Sequence, residues 1–62
     1  MDVASETKTI QEFVDKGNYH AAMNIAISAL NESRRINNQV DINTFLDIIK
    51  GIANTMAEEF GN

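Results

Sequence analysis

Sixty-two residues make one small domain, which buries only ~60% of the surface its unfolded chain exposes. The chain has no cysteine and a single histidine, His20, so neither a disulfide nor an ordinary zinc site can staple it, and oligomerisation or unusually good helix packing is left to reinforce so small a core. Nine acidic against five basic residues give a net charge of −4, which repels a phosphate backbone and favours protein partners over nucleic acid.

No stretch approaches the ~20 apolar residues that span a bilayer. The opening MDVASETK also lacks the basic and apolar regions of a signal peptide. These features set the expectation of a cytoplasmic chain with no membrane association. The chain contains no proline, no low-complexity run and no internal period, so glycine and asparagine supply the punctuation.

A first, short helix is expected over about 5–16, with Ile10, Phe13 and Val14 facing inward and Glu6 near the positive end of the dipole. Gly17 suits the left-handed residue that closes a helix, and Asn18 can cap the next one through its side-chain oxygen.

The second helix is expected over about 19–35. Tyr19, Ala22, Met23, Ala26, Ile27 and Leu30 form one side, and Ile25 and Ala29 widen the apolar face. Its many alanines let neighbouring backbones come close, which places this helix in the middle of the domain. Arg34 and Arg35 fall in its last turn, where cations suit the dipole. The segment Asn37, Asn38, Gln39 then breaks the pattern, asparagine being tolerant of the left-handed region.

Asp41 reads as the cap of a third helix, with Val40 and Phe45 at the staple positions on either side. That helix is expected over about 42–60 with Gly61 as terminator. It carries one apolar stripe: Ile42, Phe45, Leu46, Ile49, Ile52, Ala53, Met56 and Phe60. Gly51 interrupts it at a cost of about 1 kcal/mol relative to alanine, by drift or because another helix comes close. Two long helices joined by a short loop form an antiparallel hairpin, so the expected fold is an all-α, three-helix single domain assembling as a helical-bundle dimer.

The stretch from Gly17 to Leu30 resembles the second helix of a tetratricopeptide repeat, with a glycine, an aromatic residue, alanines and a closing Ala29-Leu30 at that family's spacing. The family implies a peptide-binding helical hairpin. The first helix lacks the family's tryptophan-like and leucine positions, no proline closes the unit and no second repeat follows. The likeness is read as shared packing rather than kinship.

Catalysis needs a nucleophile with a base, a paired carboxylate in a cleft or a metal, each with walls that exclude water. His20 lies off the apolar face, Asp41 and Asp47 fall on different faces, and Glu58 and Glu59 sit at a solvated helix end. The chain is therefore expected to be no enzyme and to hold no cofactor or metal.

The expected function is that of a small acidic interaction module that regulates, adapts or inhibits a larger protein and self-associates as a homodimer. Phe45, Ile49, Ile52, Met56 and Phe60 would supply the self-association, with Ile48 and Met23 as a second apolar contact. The alternative is a dimeric DNA-binding regulator using Arg34, Arg35, Asn38 and Gln39, side-chain types that read base edges.

Overall fold

The computed structural model describes residues 1–61. It contains three helices, α1 (Val3–Asp15), α2 (Tyr19–Arg35) and α3 (Gln39–Phe60), and among the described residues there is no strand. The middle helix packs against both of the others, while α1 and α3 barely meet.

The two connections share one design. Gly17 (φ +76°) and Asn37 (φ +60°) each take the left-handed conformation one residue after the cap of the preceding helix. At the first corner the Gly17 N–H donates to the Val14 carbonyl at 2.9 Å and the Asn18 N–H to the Phe13 carbonyl at 2.8 Å. At the second, Asn37 donates to Arg34 at 3.1 Å and Asn38 to Ser33 at 3.0 Å. Both are Schellman closures, which satisfy the otherwise free carbonyls at a helix end. In each, the next residue is already the cap of the following helix. Asn18 Oδ1 accepts from the Ala21 N–H at 3.3 Å, and Asn38 Oδ1 from the Asp41 N–H at 3.1 Å.

Two boundaries differ from the sequence-based expectation. The first helix starts at Val3 rather than near Ser5, because Asp2 caps it, accepting from the Ala4 and Ser5 N–H groups at 3.1 and 3.4 Å. The third starts at Gln39 rather than Ile42, because Asn38 and not Asp41 is its cap. Asp41 is left in the first turn, where its charge complements the dipole. Val40 is 73% exposed and staples nothing, whereas Phe45 is fully buried. Gly61 ends α3 as expected, though with a right-handed φ of −82°.

The core consists of Ile10 from α1, Ala22, Ala26 and Ala29 from α2, and Phe45 and Ile52 from α3. Ser33 is also fully buried, and its hydroxyl donates to the Ala29 carbonyl at 2.9 Å. Tyr19 and Phe60 meet edge to face at 5.9 Å and 74°, closing the open end of the α2–α3 hairpin.

If Asn38 is the cap, Asn38→Ala lowers stability by about 1 kcal/mol, and Asp41→Ala costs less, keeping only a dipole term of about 0.3–1 kcal/mol. Urea denaturation followed by circular dichroism separates the two. A larger loss at Asp41 would return the cap to that residue.

Candidate functional site

The residues that sequence reasoning assigned to one interface fall into three environments. Phe45 and Ile52 are buried in the chain's own core, so within this chain they are not surface residues. The reason is steric: alanines stand opposite them on α2, and only large side chains from α3 can fill that space. Ile49, Met56 and Met23 are half-buried, packed on the edge of the core. Phe60 is 72% exposed despite its contact with Tyr19. Ile48, also half-buried, points elsewhere and lines a channel between α1 and α3.

Two faces of the molecule stand out. The first is the side of the α2–α3 hairpin turned away from α1. The cleft lined by Met1, Glu6, Ser28, Ala29 and Glu32 shows which side of α2 receives α1. Ile27 lies five residues before Glu32, about 140° away around the helix. On α3, Leu46 lies two residues before the channel-lining Ile48 and so falls almost opposite it. Ile27 and Leu46 are 42% and 38% exposed, and with Met23, Ile49 and Phe60 they form an apolar surface along the hairpin. Sequence reasoning placed Ile27 and Leu46 on the apolar stripes of α2 and α3. Their position at the margin of each stripe was the available sign that they could lie outside.

The second face is the channel, a space of about 290 Å³ lined by Ile10, Gln11 and Val14 from α1 and by Ile48, Gly51, Ile52 and Thr55 from α3. Gly51 forms part of its wall, and a Cβ built there would meet nothing within 4 Å. Within this chain, therefore, no neighbouring helix requires the glycine.

The residues considered for base contacts are largely occupied locally. Arg35 pairs with Glu32 one turn earlier, Asn38 caps α3, and Gln39 Nε2 donates to Asn43 Oδ1 at 3.0 Å. Arg34 is exposed in the last turn of α2. His20 and Asp47 are exposed, and Asp41 is half-buried in the first turn of α3. Among the described residues no group of three or more His, Cys, Asp or Glu side chains could hold a metal ion, and no helix is long and apolar enough to cross a membrane. Every buried side-chain polar atom among them has a hydrogen-bond partner.

No protein-family model, curated protein or solved structure matches the chain. Of the residues that carry the short likeness to a tetratricopeptide helix, Ala22, Ala26 and Ala29 belong to the core, where they set helix spacing.

Because nothing approaches Gly51, Gly51→Ala is expected to stabilise the chain by about 0.5–1 kcal/mol through helix propensity alone. A rise in the midpoint of thermal or urea unfolding checks this, and a loss of stability would reveal a contact that an alanine cannot share.

Proposed function

We propose that the chain is a protein–protein interaction module that self-associates as a helical-bundle dimer and serves as a regulator or adaptor of a larger protein. The observation that carries this reading is the apolar outer face of the α2–α3 hairpin, with Ile27, Leu46 and Phe60 substantially open to solvent. Three of the six large apolar side chains exposed among the described residues lie on this face, the others, Met1, Ile36 and Val40, being at the chain start and the α2–α3 corner. Side chains grouped in this way favour a contact surface. Covering them supplies the burial that a chain of this length otherwise lacks.

Two further observations favour a second copy as what covers this face. Helical periodicity places none of the nine acidic residues on it among the described residues, and its margins carry Arg34 and Lys50. Two copies, each of net charge −4, can therefore meet there without opposing carboxylates. A stable interface covers about 800 Å² on each partner, roughly a fifth of this chain's 4222 Å². One broad side of the two longest helices is a surface of that order. In this arrangement Ile49, Met23 and Phe60 keep the contact role that sequence reasoning gave them, joined by Ile27 and Leu46, while Phe45 and Ile52 support them from the core.

Sedimentation equilibrium over a concentration series tests the proposal. The expected result is a species of twice the 6.9 kDa chain that Ile27→Asp or Leu46→Glu converts to monomer. Helix content should be unchanged, since both positions are already partly open to water. Wild-type protein that stays monomeric at every concentration overturns the dimer.

A further inference from the structure

We propose that the channel between α1 and α3 is a docking site for a basic amphipathic helix of a different protein. It lies on another side of the molecule from the face assigned to self-association, so either reading can fail without the other.

Three observations converge on the channel. Its lining is mainly apolar, with Ile10, Val14, Ile48 and Ile52 beside the polar Gln11 and Thr55. It runs between two helices, the shape that receives the apolar stripe of a third, with anchors at i, i+3 or i+4, and i+7. Gly51 widens it where the fold has no use for the space: an added Cβ meets nothing within 4 Å, yet a glycine inside a helix costs about 1 kcal/mol. Close approach of a backbone or side chain from outside the chain gives that cost a purpose.

The third observation is the charge of the rim, which decides the occupant. On α3, Asp47 and Glu58 lie on the same row as Gly51, four residues before it and seven after. On α1, Asp15 is held at the rim by its hydrogen bond from the channel-lining Gln11, at 2.8 Å. The cations are fewer. Lys16 is drawn over the Phe13 ring at 5.9 Å, and Lys50 follows Asp47 at i+3, on the side of that row away from Ile48 and Ile52. Lys8 is also near, with Glu12 four residues after it, so carboxylates still outnumber cations around the channel. An apolar trough with an acidic rim selects lysine or arginine flanking an apolar stripe. It repels nucleic acid and anionic lipid, and it repels a second copy presenting the same acidic side.

The test uses two fluorescein-labelled synthetic peptides about five helical turns long, with leucine at i, i+3, i+4 and i+7 and either lysine or glutamate at the flanking positions. Anisotropy titrations against the full chain at physiological salt should show binding of the lysine peptide and none of the glutamate peptide. Gly51→Leu fills the trough and should weaken the lysine peptide at least about tenfold. Asp47→Lys with Glu58→Lys, both at exposed positions, should reverse the preference. Leu46→Glu, on the other face, should leave peptide binding intact. The proposal is overturned if the lysine peptide does not bind, or if Gly51→Leu binds it as well as wild type, which would reduce the effect to diffuse charge attraction. It is equally overturned if Gly51→Leu lowers the molar mass in sedimentation, which would make a second copy the occupant.

Discussion

The fold depends on a spine of small side chains along α2. Ala22, Ala26, Ala29 and Ser33 recur at i, i+4, i+7 and i+11, and all are buried. None is larger than serine, so both neighbouring helices can approach the backbone of α2 closely, and the separation is set by the side chains they bring. Among the described residues Phe45 is the one large side chain that the resulting space encloses completely, and Ile10 and Ile52 belong to the same core. The only polar side chain in the spine returns its hydroxyl proton to the backbone one turn earlier, so the close contact does not strand a hydrogen-bonding group.

That spine also limits the fold. A ridge of alanines offers little apolar surface, so it can bury only part of what α1 and α3 carry. On α3 the apolar stripe is wider than the spine: Phe45 and Ile52 go in, Ile48, Ile49 and Met56 rest on the edge, and Leu46 and Phe60 stay out. The surplus is a property of the pairing between a rich helix and a poor one. It would be absent had α2 carried leucines in place of its alanines, because the helices would then stand farther apart and enclose more side chains.

Much of this was legible from residue types. The central place of α2 followed from its alanines, both corners followed from Gly17 and the asparagine cluster, and Asn18 was recognised as a cap. The start of α3 was misplaced because the chain offers two capping residues, Asn38 and Asp41, three positions apart. Propensity does not choose between them. Tertiary structure does, since only Asn38 directly follows the left-handed Asn37 that closes α2. The site was less legible, for a related reason. Periodicity identifies the apolar stripe on α3 but not which margin α1 will cover, and with α1 touching α3 so little, that depends on how α1 lies on α2. Gly51 was conspicuous in the sequence, yet only the position of α1 shows that it opens onto a channel.

The net charge of −4 conceals an uneven distribution that matters more than its total. The acidic residues lie on α1, on the α1 side of α2, and on rows of α3 away from Leu46 and Ile49, while the outer side of the hairpin carries apolar side chains bordered by Arg34 and Lys50. The molecule measures 37 × 18 × 14 Å, and electrostatic influence in physiological salt decays over ~8 Å. Its two sides are therefore roughly two screening lengths apart, so the charges nearest each face weigh most there. Each presents its own local charge to an approaching surface, and this uneven distribution is the basis for proposing a copy of the chain at one face and a basic helix at the other. The two proposed contacts draw on different side chains, Ile27, Leu46 and Phe60 on the hairpin face and Ile10, Val14, Ile48 and Ile52 in the channel, so neither proposal requires the other.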